Sequence, residues 1–200
     1  MPHAPSARSS GPVEVAVLPH PAGVPAEALA RDWLASALGL APARIGFARA
    51  PHGRPTLQVD DRDSDWDCNW SHSGGRLAIA LGVGLRVGID IERPRARPRA
   101  VELARRFFTP AEAEALAALP EPAREPAFLR LWCAKEAVLK AHGRGLAFGL
   151  DRLRFEGLAS TPRLVAADAT LGRPAAWTIE AVPADGLVGM LAWCDRAALP

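Results

Sequence analysis

Two carboxylates lie two positions apart in a strand rich in Val and Ile. This spacing places both acidic groups on one face of the strand, where they could bind a positive group. Residues 86–92 read RVGIDIE. Because side chains alternate across a strand, the Val and Ile residues are predicted to face one side while Asp90 and Glu92 share the other. Like charges about 7 Å apart raise each other's pKa unless water or a cation screens them. The pattern favours a positive group beside this strand, with an edge strand carrying solvated acids as the alternative.

A second charged pair lies in the segment FLRLWCAKEAVLKAHGRG, residues 128–145. The segment predicts a long helix from about Glu125 to His142 that is ended by a glycine at the next position. Glu136 and Lys140 stand one turn apart beside its broad apolar face. Taken alone, such a pair indicates a surface ion pair worth a few tenths of a kcal/mol. Lys135 points elsewhere and is expected to be a phosphate or partner contact, or a surface charge.

Strands and helices alternate along the rest of the chain. The patterns predict a strand at 13–18, a helix at 25–40, a turn-rich segment at 50–65, and three strands at 68–73, 77–83 and 86–92 that are expected to form one antiparallel sheet. A helix is predicted at 101–108. The next helix begins at Thr109 as N-cap, with Pro110 and Glu112 completing a capping box. The last third again has the pattern of strands.

The arginine-rich stretch at 93–99 interrupts this pattern and indicates a boundary. We therefore divide the chain into a flexible N-terminus at 1–12, an N-terminal half at 13–96 and a C-terminal half at 97–200. A Gly turn followed by a small and apolar strand occurs in both halves, which suggests that they are similar.

Composition narrows the class of protein. The chain has 200 residues, a net charge of +2, 49% hydrophobic residues and 23% charged residues. These values are ordinary for a soluble globular protein, and the small net charge argues against nucleic acid as a partner. Three widely spaced cysteines suggest neither a disulfide framework nor a zinc site. The absence of a signal-like or 20-residue apolar segment predicts a cytoplasmic protein with no membrane contact.

Three motifs in this order resemble the 4′-phosphopantetheinyl transferases of the Sfp (surfactin-synthetase-activating) type. They are SHS at 71–73, GIDIE at 88–92 and WCAKEAVLKAHGRG at 132–145. GRP at 53–55 and RRFFTPAE at 105–112 extend the resemblance. Each motif alone is weak, but the ordered set is specific. The resemblance implies an α+β fold with a pseudo-twofold arrangement of two similar halves, each a small antiparallel sheet packed with helices, and an active site in the cleft between them.

The resemblance also implies a reaction. The 4′-phosphopantetheine arm of coenzyme A is transferred to a serine of an acyl or peptidyl carrier protein, and 3′,5′-ADP is released. Asp90, Glu92 and Glu136 match the family's metal site, and hard oxygen ligands suit Mg²⁺. Glu136 is the expected base, acting directly or through a water molecule. Lys140 is expected to bind a phosphate oxygen and to stabilise the leaving charge.

Further residues are implied as coenzyme contacts. They are Arg31, Gly53, Arg54, Pro55, Ser71 and His72, together with Asp90 and Lys140. Ser71 and His72 match the family's 3′-phosphate contacts, and Arg54 replaces a usual lysine near the same end of the nucleotide. A surface arginine is the alternative for Arg31, and a packed or surface histidine is the alternative for His72.

Two other functions compete with transfer. The chain could bind coenzyme A or a carrier protein without transfer activity, or it could be a Mg²⁺-dependent phosphohydrolase that uses the same carboxylates. A monomer is expected, because the two halves would supply within one chain the cleft that smaller relatives form between subunits.

Overall fold

The computed structural model describes residues 7–95, 99–184 and 186–200. Within these ranges the chain forms four α-helices and twelve strands. The helices are α1 (Ala26–Leu38), α2 (Ala100–Phe107), α3 (Pro110–Ala118) and α4 (Glu121–His142). The strands are β1 (Ala7–Ser10), β2 (Val13–Pro19), β3 (Ile45–Arg49), β4 (Pro55–Val59), β5 (Arg62–Asp63), β6 (Trp66–Ser73), β7 (Arg76–Val83), β8 (Leu85–Glu92), β9 (Leu153–Glu156), β10 (Arg163–Ala167), β11 (Thr178–Ala181) and β12 (Val188–Asp195).

The helix signals in the sequence are confirmed. The capping box of α3 is complete, since Thr109 Oγ1 accepts a hydrogen bond from the Glu112 N–H and the Glu112 carboxylate accepts one from the Thr109 N–H. Helix α4 ends at His142 with Gly143 in a left-handed conformation, as predicted. It begins at Glu121, one turn before the predicted start, because Pro122 lies in the first turn, where a missing N–H costs nothing.

Two segments are more regular than predicted. Residues 50–65, expected to be turns, contain β4 and β5, which form a small antiparallel sheet with β3. Part of the segment expected to be flexible, Ala7–Ser10, pairs with β2 as β1. Residues 1–6 and the predicted boundary between residues 96 and 97 lie outside the described residues.

The predicted three-stranded sheet is divided between two sheets. β6 and β7 pair antiparallel as expected, within a sheet of order β1-β2-β7-β6. β8 instead pairs antiparallel with β12, in a sheet of order β11-β12-β8. Both edges of β7 are already occupied by β2 and β6, so β8 finds its backbone partners elsewhere. A separate hairpin of β9 and β10 completes the mixture of helices and antiparallel sheets, which is an α+β fold.

A row of polar side chains on β6 joins this strand to β8. Asp67 accepts a hydrogen bond from the Val87 N–H at 2.8 Å, and Asn69 accepts one from the Ile89 N–H at 3.1 Å. In both bonds the β8 residue lies 20 positions after its β6 partner. A constant offset means that the partner position advances along β8 as it advances along β6, so the two strands run in the same direction. Every second residue of β6 therefore faces β8. The two sheets are connected at these edges by side chains in place of a backbone ladder.

Apolar residues are buried in three layers. Helix α1 packs on the outer face of the first sheet, and α4 packs on the outer face of the second, whereas the inner faces of the two sheets pack on each other. Val87, Ile89 and Ile91 are buried between the sheets. The alternation predicted for β8 is confirmed, because Asp90, on its other face, contacts α4. All three cysteines are free and buried. No helix in the described part of the chain combines the length and apolar character needed to span a bilayer.

Gly88 sets the closeness of α4 to β8. A Cβ atom at this position would lie 2.0 Å from the Ala137 carbonyl oxygen and 2.5 Å from the Ala141 nitrogen, both of which are helix backbone atoms. Only a residue without a side chain permits this approach. Because Ala137 and Ala141 directly follow Glu136 and Lys140, the same approach brings those two side chains to the acidic face of β8.

We expect Gly88→Ala to lower the free energy of unfolding by about 3 kcal/mol, because the new methyl group must displace helix backbone. Urea denaturation measures this loss. Gly46→Ala is the matched control, since its Cβ would meet only the Gln58 side chain at 3.7 Å. Equal stability of the two variants would contradict this description of the contact between strand and helix.

Candidate active site

Asp90 and Lys140 form the centre of the site. Asp90 lies on β8 and is 4% exposed. Its Oδ1 accepts hydrogen bonds from Lys140 Nζ at 2.6 Å and from Ser71 Oγ at 2.9 Å. Lys140 Nζ also donates to the Ile89 carbonyl at 3.2 Å. Ser71, Asp90 and Lys140, which come from three separate sequence motifs, are thus in direct contact. The Glu136–Lys140 pair is not an isolated surface pair, because Lys140 bonds to the strand.

The second carboxylate oxygen of Asp90 is buried without a partner. Oδ2 is shielded from solvent and has no partner at ordinary hydrogen-bond distance among the described residues, although the Cys133 thiol interacts with the Asp90 carboxylate. A buried carboxylate oxygen of this kind costs free energy unless a donor or a cation compensates it. The unpartnered atom therefore marks a position where a positive group would be stabilised.

Glu136 lies one helical turn before Lys140 and is influenced by both acids of β8. The pKa of Glu136 is raised to about 7, mainly because burial disfavours the charged carboxylate and then because of the negative charge of Asp90, with a smaller contribution from Glu92. Lys140 and a hydrogen bond donated by Trp132 oppose this shift. Glu92 is half-buried and accepts a hydrogen bond from Ser73 Oγ at 3.3 Å. The three carboxylates predicted to form a metal site therefore share one electrostatic environment.

The donor chemistry of this environment suits a hard cation, but the side chains are not arranged around one. Among the described residues, no group of three or more His, Cys, Asp or Glu side chains is positioned to hold a metal ion. Lys140 supplies the positive charge at Asp90 instead. The carboxylate oxygens and the unpartnered Asp90 Oδ2 fit Mg²⁺ by type.

A pocket of about 220 Å³ opens beside Lys140. It is lined by His52, Gly53, Arg54, Pro55, Asn69, Trp70, Leu139, Lys140, Gly143 and Gly145. The GRP motif and the end of α4, which were singled out separately in the sequence, thus line one pocket. Trp70 of β6 lines the same pocket.

Arg54 lines the pocket, but its guanidinium is occupied. It forms a buried bidentate pair with Asp67, with distances of 2.9 and 2.6 Å. It also donates to backbone carbonyl groups, among them that of Lys140 at 2.9 Å. A charged contact to a ligand phosphate would require Arg54 to exchange one of these partners.

His72 and Arg31 lie outside the set that lines the pocket. His72 is exposed, and its ring lies 5.0 Å from that of His20. Arg31 contacts Glu27 at 3.4 Å and lies 5.6 Å from the centre of the Phe47 ring. The Phe47 ring in turn meets Trp70 edge to face at 5.1 Å. Arg31 is thus connected to the pocket lining through the Phe47 and Trp70 rings.

Lys135 is not the surface charge or external contact that the sequence suggested. Its side chain is 0% exposed, and its Nζ lies 2.8 Å from Glu112 Oε1 and donates to the carbonyl groups of Leu150 and Leu153. Burial lowers the pKa of Lys135 to about 8, although Glu112 opposes the shift. The sequence carried a signal for this position, because Lys135 is four residues from both Leu131 and Leu139 and so shares their buried stripe.

We expect Lys135→Met to lower the free energy of unfolding by about 3–5 kcal/mol, because Glu112 would keep an uncompensated buried charge. Thermal and urea unfolding measure the effect. The double variant Lys135→Met/Glu112→Gln should recover part of the loss, since it removes both charges. A single variant as stable as the wild type would rule out a buried ion pair.

Comparison with known proteins agrees with the motifs. The family model of the 4′-phosphopantetheinyl transferase superfamily matches residues 86–189, a range that includes all but the first residue of β8, the whole of α4 and all three carboxylates. A putative 4′-phosphopantetheinyl transferase of Synechocystis sp. is 38% identical over 123 residues, which cover 62% of this chain and 50% of that protein. The 4′-phosphopantetheinyl transferase HetI of Nostoc sp. is 34% identical over 163 residues, which cover 81% of this chain and 66% of that protein.

A 4′-phosphopantetheinyl transferase of Bacillus subtilis is 35% identical over 136 residues, which cover 66% of this chain and 58% of that protein. The aligned segments thus span between half and two thirds of these relatives. The family model covers more than half of the chain and contains the central residues of the site. The chain therefore belongs to the 4′-phosphopantetheinyl transferase superfamily.

Proposed function

We propose that this chain transfers the 4′-phosphopantetheine arm of coenzyme A to a serine of an acyl or peptidyl carrier protein, as an Sfp-type enzyme does. The observation that carries the proposal is the contact between Asp90 of β8 and Lys140 of α4, since Lys140 also lines the pocket that contains the GRP motif. We further propose that the two halves, 13–96 and 97–200, form a pseudo-twofold pair with coenzyme A in the cleft between them.

Mg²⁺ is the proposed metal, with Asp90, Glu92 and Glu136 as its ligands. The unpartnered Asp90 Oδ2 and the raised pKa of Glu136 support this, because a cation would relieve both. When bound, Mg²⁺ would neutralise charge on the pyrophosphate of coenzyme A. The ligand set draws on both halves, since two carboxylates lie on β8 and the third lies on α4.

Two side chains of this protein have separate proposed roles in the transfer step. Glu136 accepts the proton of the carrier serine, directly or through a water molecule, as the serine oxygen bonds to the pantetheine-bearing phosphorus. The bond from that phosphorus to the oxygen of the leaving 3′,5′-ADP breaks. Lys140 binds a phosphate oxygen and stabilises the charge that develops on the leaving group.

The pocket is the proposed place of the nucleotide end. Gly53 and Pro55, which line the pocket, are proposed to contact the nucleotide. Ser71, His72 and Arg31 are proposed as further contacts. Because the Ser71 hydroxyl already donates to Asp90, its role at a phosphate would pass through its backbone or require a change of partner. Arg54, expected near the same end of the nucleotide, lines the pocket with its guanidinium bonded to groups of the protein.

The proposed carrier surface is basic. Carrier proteins are acidic, and Arg93, Arg95, Arg99, Arg105 and Arg106 are exposed. Residues 96–98 of the same arginine-rich stretch lie outside the described residues. We propose a monomer that acts in the cytoplasm, in agreement with three free cysteines.

The fate of coenzyme A tests the function. The chain is incubated with coenzyme A and Mg²⁺, with and without an apo carrier, and the small molecules are separated by chromatography. We expect 3′,5′-ADP in amounts equal to the carrier, and none without it. Hydrolysis that does not depend on the carrier would indicate a phosphohydrolase. Bound but unchanged coenzyme A in both samples would indicate a binding protein.

A further inference from the structure

The guanidinium of Arg54 uses all of its hydrogen-bond donors inside the protein. Its Nε donates to the Lys140 carbonyl at 2.9 Å, its Nη1 donates to the Pro55 carbonyl at 3.1 Å and Asp67 Oδ1 at 2.9 Å, and its Nη2 donates to Asp67 Oδ2 at 2.6 Å and the Val87 carbonyl at 3.0 Å. A guanidinium has five N–H groups, and five acceptors surround this one. Arg54 is only 7% exposed.

One of these acceptors lies where a helix needs a partner. The last four carbonyl groups of a helix have no N–H donor within the helix. The carbonyl group of Lys140 is one of these, because Lys140 lies within the last turn of α4. Arg54 satisfies this carbonyl, while the side chain of the same lysine bonds to Asp90. Both the backbone and the ammonium group of Lys140 are therefore fixed, the first by Arg54 and the second by β8.

The partner of Arg54 fixes the strand in the same way. Asp67 is 2% exposed, and its Oδ2 accepts the Val87 N–H at 2.8 Å while also pairing with Arg54. Val87 lies three residues before Asp90 on β8. The pair of Arg54 and Asp67 thus bonds to β8 through Val87 and to α4 through Lys140.

The packing around Arg54 is close as well as polar. A Cβ atom added at Gly143, the residue that ends α4, would lie 3.0 Å from Arg54 Cδ. The backbone at Gly143, where the chain leaves α4, therefore packs against the aliphatic part of the Arg54 side chain. A shorter or differently shaped side chain at position 54 would leave both this turn and the Lys140 carbonyl unsupported.

We propose that Arg54 is a positioning residue, which together with Asp67 sets the last turn of α4 against β8 so that Lys140 meets Asp90 and the substrate phosphate. The inference rests on the proposed function, and it replaces a direct contact between Arg54 and the 3′-phosphate of coenzyme A. Groups that hold a reacting side chain in register act on rate, because a shift of about 1 Å costs about 100-fold.

Kinetics with two substrates distinguish the two roles. Arg54→Gln is assayed with coenzyme A and with 3′-dephospho-coenzyme A, which lacks the 3′-phosphate. A positioning role predicts that kcat falls about 100-fold with both substrates and that the wild-type preference between them is kept. Loss of that preference at nearly unchanged kcat would identify Arg54 as a phosphate ligand and overturn the proposal. Wild-type values for both substrates would also overturn it.

Two further variants test the pair itself. Asp67→Asn should reproduce the kinetic loss, although Asp67 is not among the residues that line the described pocket. Arg44→Gln is the control, since Arg44 also forms a bidentate pair with an aspartate, Asp60, but at an exposed position, and it should keep wild-type rates. If Arg54→Gln is unfolded at the assay temperature, Arg54→Lys is used, because lysine keeps the charge but cannot reach five acceptors.

Hydrogen exchange provides a readout that does not depend on transfer. Backbone amides in residues 139–145 should exchange faster in Arg54→Lys than in the wild type, whereas those of α1 should not change. Unchanged exchange in residues 139–145 would overturn the positioning role even if the wild type is active. An inactive wild type with faster exchange in the variant would reject the proposed function and leave the structural role of Arg54 supported.

Discussion

Replacing Asp90 with alanine is expected to reduce transfer by about 1,000-fold or more. Asp90 contributes a proposed metal ligand and a carboxylate that hydrogen-bonds Lys140, so one substitution removes both. An interaction worth several kcal/mol in the transition state corresponds to this factor. The affinity for coenzyme A in the presence of Mg²⁺ should fall as well, because the lost carboxylate no longer attracts the cation. Single-turnover transfer and calorimetric titration measure the two effects.

Asp63→Ala is the matched control for this substitution. Asp63 is an exposed carboxylate on β5, in the same half of the chain, and it does not line the described pocket. The control should keep wild-type transfer. Wild-type turnover in Asp90→Ala would refute the assignment of Asp90 to the site, provided that the variant shows a cooperative unfolding transition.

Glu136→Gln is expected to lower the transfer rate by about 100–10,000-fold at saturating coenzyme A and carrier. The substitution keeps the shape of the side chain and removes its ability to accept a proton. Lys140→Ala should lower the rate in the same direction but to a lesser degree. In both variants kcat should fall far more than the affinity for coenzyme A, as expected for groups that act mainly in the transition state.

A surface ion pair would behave differently. Glu102, on α2, forms such a pair with Arg99 at 2.7 Å, and both side chains are largely exposed. Glu102→Gln should change stability by less than about 1 kcal/mol and leave transfer unaffected. If Glu136→Gln and Lys140→Ala match this control, α4 is scaffold and the catalytic roles assigned to these residues are wrong.

The residues that meet in the Asp90–Lys140 contact were singled out from the sequence because local patterns encode each of them. Alternation along β8 separates Asp90 from the buried Val and Ile residues, and helical spacing places Glu136 and Lys140 on one side of α4. The glycine at position 88 marks the same approach of helix to strand. These patterns involve neighbours within single elements, which is the information that periodicity carries.

The contacts of Arg54, Lys135 and β8 were not predicted because they depend on distant partners. The motif GRP indicates a basic residue near a nucleotide, but the 2.6 Å contact with Asp67 exists only after β4 and β6 have packed together. Likewise, nothing local to β8 names β12 as its backbone partner. The prediction for Lys135 was wrong for a different reason. Its charge was taken to indicate a surface position, although its spacing from Leu131 and Leu139 places it on the buried stripe of α4.

The most direct test of the proposed function is the intact mass of a carrier protein. An apo carrier is incubated with this chain, coenzyme A and Mg²⁺, beside the same carrier with its acceptor serine replaced by alanine. We expect the serine carrier alone to gain the mass of one phosphopantetheine arm. A serine carrier of unchanged mass, in a reaction where an established transferase modifies it fully, would contradict the proposal that this chain is a 4′-phosphopantetheinyl transferase.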